Sequence, residues 1–379
     1  MGSPLASTPK ALLLDLDGLL LDTVALPLPL TLKPSRALTP MHQVLGLAVP
    51  PEQLLAESEP LMAARWADAP LLPGAMRLCR HLVSSGVPFG IATSTPRATF
   101  AAKMSRKHEL RAMLAERPGA VVVCGDEVAR GKPHPDVFLA AAEQLGVARG
   151  RGGAGGRAQR HAAQGATAAG MRVVVVPSLV GADADYGAPD PSAASGLVQL
   201  LPSLLAFQPA SLGLPPFGDL LPREPHPGGG VIPMDRLVRI RGAVVKGFGR
   251  GSKELGIPTA NVDPAVVAAA LAEAVTGIYA GWARLGSSPT VYKTVMSIGW
   301  NPFFANKHKT LEPWILHTFD KPFYGERLSL LICGYVRPEA NFSSLEALVE
   351  RIHLDARVSE AALECEPLAA MRDDPFLRE

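Results

Sequence analysis

The sequence predicts two domains of different class: an N-terminal α/β domain of Rossmann-like type and a C-terminal antiparallel β-barrel with a C-terminal helix. Three observations predict this. The chain has 379 residues, more than one hydrophobic core ordinarily holds. Its first half carries continuous apolar runs, such as Ala11-Leu12-Leu13-Leu14, that end abruptly in acid, the pattern of strands covered on both faces. Its second half carries short strand-like runs separated by Gly and Pro turn signals, the pattern of a closed antiparallel sheet. Between the halves, residues 207–230 are rich in proline and end in Pro227-Gly228-Gly229-Gly230. The expected boundaries are therefore 1–206, a linker over 207–230, and 231–379.

Composition excludes several functions. A formal charge of +2 and 47% hydrophobic residues describe an ordinary soluble protein with no basic field for nucleic acid. No run of eighteen apolar residues occurs, so no membrane span is expected. The N-terminal stretch MGSPLASTPKALLLDLDG is neither a secretory h-region nor an Arg-rich transit peptide. Cys79, Cys124, Cys333 and Cys365 lack C-x-x-C spacing, which argues against a zinc site or a disulfide framework. A reducing, cytoplasmic compartment and small-molecule partners are expected.

In the first half, the strand Ala11 to Leu14 leads into Asp15-Leu16-Asp17-Gly18. Ligands of parallel sheets bind at the carboxyl ends of the strands, where Asp15 and Asp17 would stand. Two unpaired carboxylates there repel unless a cation lies between them, which points to Mg²⁺. Read alone, D-x-D-G also fits an Asp turn or a helix N-cap. A second apolar strand ends in the hydroxyls of Thr93-Ser94-Thr95, and farther on comes Gly131-Lys132-Pro133-His134-Pro135-Asp136. A lysine in such a turn is ordinarily a surface residue.

In this order the three stretches resemble the motifs of the haloacid-dehalogenase-like phosphatases. The resemblance implies that Asp15 is the nucleophile, forming an aspartyl-phosphate, and Asp17 the acid/base. It implies that Thr93 holds the phosphate, that Lys132 neutralises charge on the attacked group, and that Asp15 and Asp17 serve a Mg²⁺ site. The family's next strand normally ends in acidic residues that complete that site. Here the corresponding place reads Val147-Ala148-Arg149-Gly150-Arg151-Gly152-Gly153-Ala154-Gly155-Gly156-Arg157, with no acidic residue between Glu143 and Asp183. A flexible loop, the loss or replacement of that strand, and a large loss of phosphatase activity are expected. Ala25 to Pro40 is Pro- and Leu-rich, so a shortened cap is also expected.

In the second half, strands are predicted at Leu237–Val245, Gly277–Arg284, Val291–Ile298, Trp314–Phe319 and Leu328–Tyr335. A helix over Ser343–Ala356, capped by Ser343 or Ser344, would plug or flank the barrel. The stretch from Gly242 to Asn261 holds five glycines together with Lys246, Arg250 and Lys253, a backbone that can close over phosphates. It fits neither a P-loop nor a dinucleotide fingerprint, because Ser252 stands where each requires glycine. From glycine spacing alone, a hairpin on a barrel rim is an equal reading. Thr259 and Asn261 are two apart, on one face of a strand, with oxygen donors suited to a Mg²⁺-nucleotide.

The run Pro258-Thr259-Ala260-Asn261 is followed in order by Gly277-Ile278-Tyr279, Ser297 to Pro302, Lys309 to Pro313, Phe323 to Glu326 and Gly334 to Glu339. This series, covering Val231 to the C-terminus, resembles riboflavin kinase, which phosphorylates riboflavin to FMN. The resemblance implies Glu312 as base, Thr259 and Asn261 for Mg²⁺ and nucleotide, and the nucleotide phosphates near Gly247 and Lys253. It places Arg337 near the flavin or its new phosphate. Glu326 is a rival base on chemistry alone, and without the resemblance Glu312 reads as an exposed strand-end carboxylate. Trp300 and Phe303 fit a barrel core as well as ring stacking, and His308, His317 and His353 lack metal-ligand spacing.

The fusion of the halves resembles the plant-type bifunctional riboflavin kinase/FMN hydrolase family. It implies Mg²⁺ as cofactor (with Zn²⁺ or Mn²⁺ as alternatives), ATP as co-substrate, and riboflavin, FMN and ATP/ADP as partners. The expected function is a riboflavin kinase with a degenerate phosphatase half. The alternatives are a fully bifunctional enzyme, with Asp183 or Asp185 as the missing ligand, and a kinase with a non-catalytic N-terminal binding or scaffold module. Fusion to an adenylyltransferase is disfavoured, since no H-x-G-H occurs.

Overall fold

The computed structural model describes residues 10–23, 53, 65–115, 120–147, 152–156, 160–177, 186–246, 257–263, 266–267, 270–271, 274–300 and 309–379. They belong to two compact units, Met1–Pro216 and Phe217–Glu379. The expected shortened cap over Ala25–Pro40 lies outside the described residues.

The first unit alternates strands and helices: β1 (Ala11–Leu14), α1 (Ala75–Ser84), β2 (Phe89–Ala92), α2 (Arg97–Met104), α3 (His108–Ala115), β3 (Val121–Val123), α4 (Asp136–Gln144), β4 (Gly152–Gly156), α5 (Arg160–Ala168), β5 (Arg172–Val175) and β6 (Gly196–Leu200). All strands pair in parallel, in the order β3-β2-β1-β4-β5-β6. Every residue of β1 is buried because both faces of the sheet are covered. Leu13 packs into one core with Val137 and Phe138 of α4 and Ala162 and Ala166 of α5. Leu12 and Leu14 face the other side, toward Leu78 of α1, Leu204, Phe207 and Leu212.

The expectation of a loop through the Gly/Arg-rich run is overturned at its centre. Gly152–Gly156 is β4, paired with β1 through Leu14↔Gly155 and with β5 through Gly155↔Val174. The strand is therefore in place. Without it the facing backbone groups of β1 and β5 would be unpaired inside the sheet, and satisfying them outweighs the entropy lost in ordering glycine.

The boundary between the units falls within the segment expected as linker. Phe207, Leu212 and Leu214 are buried in the first unit, whereas Leu221 is buried in the second, where it bridges Val231.

The second unit contains β7 (Ile232–Val245), β8 (Asn261–Val262), β9 (Gly277–Leu285), β10 (Val291–Trp300), β11 (Lys309–Ile315) and β12 (Arg327–Arg337), followed by α6 (Leu345–Leu363) and α7 (Pro375–Arg378). The antiparallel order is β11-β10-β9-β12-β7-β8. The Ala260 amide donates to the Pro313 carbonyl at 2.8 Å, bringing the β8 edge to the β11 edge and nearly closing the barrel. The strand expected at Trp314–Phe319 runs instead over Lys309–Ile315. Pro313 reads as a break in sequence, yet an edge strand tolerates proline, and here its carbonyl serves the closure.

Tyr279 and Tyr335 meet edge to face at 5.2 Å inside the barrel. Helix α6 flanks the barrel, with Val358, Ala362 and Leu363 packed on Ala280, Trp282, Leu331 and Cys333. Ser344 caps it by accepting the Ala347 amide at 3.2 Å. Because its buried stripe continues through Leu363, the helix runs beyond the expected Ala356. No helix among the described residues is long and apolar enough to cross a membrane. All four cysteines are free.

Candidate active sites

At the carboxyl end of β1, Asp15 is buried and accepts the Leu16 amide at 2.8 Å. Lys132 reaches it from the loop before α4: its Nζ lies 2.9 Å from Asp15 Oδ2 and donates to the Ala92 carbonyl at 2.9 Å. Burial raises the Asp15 pKa above the ordinary carboxylate value, and Lys132 offsets only part of that rise. Gly18, at φ 72°, turns the chain sharply after Asp17, a conformation that costs glycine little. Thr93, directly after β2, is fully buried, and its hydroxyl accepts the Thr95 amide at 3.1 Å. The order Asp15, Thr93, Lys132 thus becomes one cluster at the carboxyl edge of the sheet.

Sequence reasoning missed one neighbour, Lys103, and gave the hydroxyl of Thr95 no partner. Lys103 of α2 is 4% exposed and places Nζ 2.5 Å from Asp17 Oδ1, while Thr95 donates its hydroxyl to Asp17 Oδ2 at 2.5 Å. Lys103 also donates to Thr95 Oγ1 at 3.1 Å and lies 4.5 Å over the Trp66 ring. Enclosure works against the charged form of Asp17, but Lys103 and the hydroxyl donors outweigh it and hold the pKa below the usual range. The available signal was spacing: Phe100, Lys103 and Met104 share the buried stripe of α2, where an unpartnered lysine would be costly.

Both carboxylates already carry a lysine counter-ion, and no group of three His, Cys, Asp or Glu side chains converges among the described residues. The residue following β4 is Arg157. Asp183 and Asp185 lie outside the described residues.

In the second unit the barrel closure builds the other site. Ala260 and Pro313, joined by their hydrogen bond, are buried. By strand alternation, Thr259 and Asn261 on one side and Glu312 on the other stand on the opposite, outer face. Glu312 is exposed and directly opposite Ser297 on β10. Trp314, on the same face, meets His353 of α6 with ring centroids 5.5 Å apart. Glu326 is turned elsewhere: a Cβ on Gly286 would lie 2.7 Å from its Oε2. Two neutral oxygen-bearing side chains beside one carboxylate fit a Mg²⁺-nucleotide next to a base. Gly247, Lys253 and Phe303 lie outside the described residues, as does the Trp300 side chain.

Arg337 stands in an ion-pair network at the end of β12. Its Nη2 lies 2.6 Å, and its Nε 3.0 and 2.9 Å, from the carboxylate of Asp355 on α6, which is 1% exposed. Arg351 adds a contact of 2.9 Å to the same carboxylate. The guanidinium of Arg337 pins α6 to the end of β12. Asp355 was missed although it sits on the buried stripe of α6.

Comparison with known proteins gives matches along both units. A riboflavin kinase (flavokinase) family model matches residues 234–363, and a haloacid dehalogenase-like hydrolase model matches residues 33–152. The chain is 40% identical over 359 residues to a bifunctional riboflavin kinase/FMN phosphatase of Arabidopsis thaliana, covering 91% of this chain and 85% of that protein. It is 50% identical over 138 residues to a riboflavin kinase of Mus musculus, covering 36% of this chain and 88% of that protein. Among solved structures, riboflavin kinase from Trypanosoma brucei matches with a TM-score of 0.32 and 27% identity, covering 38% of this chain and 90% of that one.

Proposed function

The chain belongs to the family of bifunctional riboflavin kinase/FMN phosphatases, and from that membership we infer that it is a riboflavin kinase, transferring a phosphoryl group from ATP to riboflavin to form FMN. The observation that carries the reading is the closure of the barrel, where the Ala260–Pro313 hydrogen bond sets Thr259 and Asn261 beside Glu312. Glu312 would accept the proton of the attacked hydroxyl, in keeping with its exposure on the face that Thr259 and Asn261 share. Thr259 and Asn261 would hold Mg²⁺ together with the nucleotide. When bound, the cation neutralises charge on the phosphoryl group. The glycine-rich stretch would supply Gly247 and Lys253 to the phosphates, and four free cysteines support a reducing, cytoplasmic location.

Glu312→Gln tests the base. Loss of a general base is expected to slow FMN formation by about 10²- to 10⁴-fold, with riboflavin binding retained, as followed by chromatography and flavin fluorescence. Turnover close to wild type would reject Glu312 as the base.

For the first unit, we read a haloacid-dehalogenase-like domain with little FMN phosphatase activity, because Asp15 and Asp17 are paired with lysines and no third carboxylate joins them among the described residues. The intact order of Asp15, Thr93 and Lys132 around a sheet that retains β4 favours a second reading, full bifunctionality with Asp183 or Asp185 as ligand. FMN incubated with Mg²⁺ and the purified chain separates the two. Hydrolysis abolished by Asp15→Asn would establish the second reading, and no hydrolysis the first.

A further inference from the structure

Lys309 opens β11, three residues before Glu312, and a lysine so close to the base reads in sequence as a cation for the nucleotide phosphates. Its charge is spent elsewhere. The half-buried side chain donates from Nζ to the backbone carbonyls of Leu271, at 3.0 Å, and Ala274, at 2.6 Å. Along β11, Lys309 shares its side with Leu311 and Pro313, which are buried, whereas Glu312 projects from the opposite, exposed side. The ammonium and the carboxylate therefore leave the strand in opposite directions.

Leu271 and Ala274 lie at the far end of the segment that starts at Ala260. Directly after β8, the Asp263 carbonyl accepts the amides of Val266 and Val267 at 3.1 and 3.2 Å, and the Val267 carbonyl accepts the Leu271 amide at 2.9 Å, the bonding of a helical turn. Val262, Val267 and Leu271 are buried beneath it. Carbonyls at the end of such a turn call for donors from outside it, and a cation suits their partial negative charge. Tyr279 adds a tie from β9, its hydroxyl donating to the Val275 carbonyl at 2.5 Å. Lys309 is the tie that comes from the strand of the base.

The segment is thus held by β11 at both ends. At its start the Ala260 amide donates to the Pro313 carbonyl, and at its end Leu271 and Ala274 accept Lys309. The anchors on β11 stand about 13 Å apart along the strand, with Glu312 between them. Thr259 and Asn261 flank Ala260 at the first anchor. One hydrogen bond fixes a point and leaves a hinge; the second anchor removes the hinge.

We propose that Lys309 is a positioning residue for the nucleotide: by holding the Leu271 and Ala274 carbonyls it fixes the segment that presents Thr259 and Asn261 to Glu312, without touching the nucleotide itself. The proposal rests on the kinase reading above. Phosphoryl transfer depends almost wholly on positioning and charge stabilisation, so a displaced donor site slows it even when every reacting group is present.

The test measures FMN formation by the full-length chain with ATP and riboflavin varied in turn, and riboflavin binding by fluorescence quenching without nucleotide. Losing a charge-assisted tie is expected to raise the KM for ATP about 10-fold in Lys309→Met, with the riboflavin Kd changed less than about 2-fold. A chain that merely folded less would contain less active enzyme, lowering kcat with both constants unchanged. Lys309→Arg keeps a cation and its donors and is expected to bring the KM for ATP back to within about 3-fold of wild type. Lys309→Gln keeps a donor and gives up the charge; a KM for ATP raised about 3-fold or more is expected, and this variant decides the matter where Lys309→Met fails to fold. An unchanged KM for ATP in the folded variants, or equal weakening of ATP and riboflavin, overturns the proposal. A wild-type chain that forms no FMN from ATP would reject the kinase reading itself, whereas FMN formation with an unshifted constant for ATP would reject only the role of Lys309.

Discussion

Asp355 carries two arginines in a nearly water-free position, and such a carboxylate is tolerated only because both are present. Arg337→Met leaves the buried carboxylate with Arg351 alone, so the fold is expected to be destabilised, read as a lower urea midpoint, and the double variant Arg337→Met/Arg351→Met to be destabilised further. Lys103 presents the same logic at the first site. Lys103→Met removes the cation that holds Asp17 below the usual carboxylate range, and the Asp17 titration is expected to move upward, as followed by carboxyl-carbon NMR. The sequence made Asp15, Thr93, Lys132, Thr259, Asn261 and Glu312 legible because each stands in a short ordered motif. It hid Lys103 and Asp355 because their partners are remote in the chain: 86 residues separate Lys103 from Asp17, and 18 separate Arg337 from Asp355. Their only trace was a charge on an otherwise apolar helical stripe. Arg337 stands in such a motif too, yet its partner on the following helix has no trace in that motif.

At the level of elements, the strands most legible in sequence were those with strong apolar patterning, such as β1 and β12. In β4 the local preference of glycine for disorder opposed the demand of two neighbouring strands for hydrogen-bonded partners, and only the second is visible in three dimensions. Pro313 misled in the same manner, because the tolerance of an edge is a property of the sheet. The helix ends are simpler. Ser344→Ala removes the acceptor of the Ala347 amide and is expected to cost about 1 kcal/mol in a denaturant titration. Asp374 caps α7 through the Phe376 amide and pairs with Arg239, and the hydrogen bond from Arg239 leads the causes that lower its pKa in the fold. A depressed carboxylate stabilises fully above its unfolded pKa, about 3.9, and that contribution is lost as pH falls through the folded value. Asp374→Asn is thus expected to lower the melting temperature at pH 7, with the difference from wild type closing as the pH falls through the folded value.

Across the whole molecule, the two units hold separate cores, and the elements that carry Thr259, Asn261 and Glu312 all lie in the second. A fragment of residues 217–379 is accordingly expected to form FMN at a rate within about 2-fold of the full chain, a difference too small to represent a meaningful change in barrier. A rate lower by an order of magnitude would give the first unit a part in the kinase reaction. The barrel closure has a consequence of its own. The amide that joins β8 to β11 lies between the groups assigned to the nucleotide and the base, so every thermal opening of that seam separates them. The Ala260 proton should then behave as a built-in clock: its exchange with deuterated solvent would count the moments at which the barrel is unzipped, and nucleotide bound across the seam would slow the count.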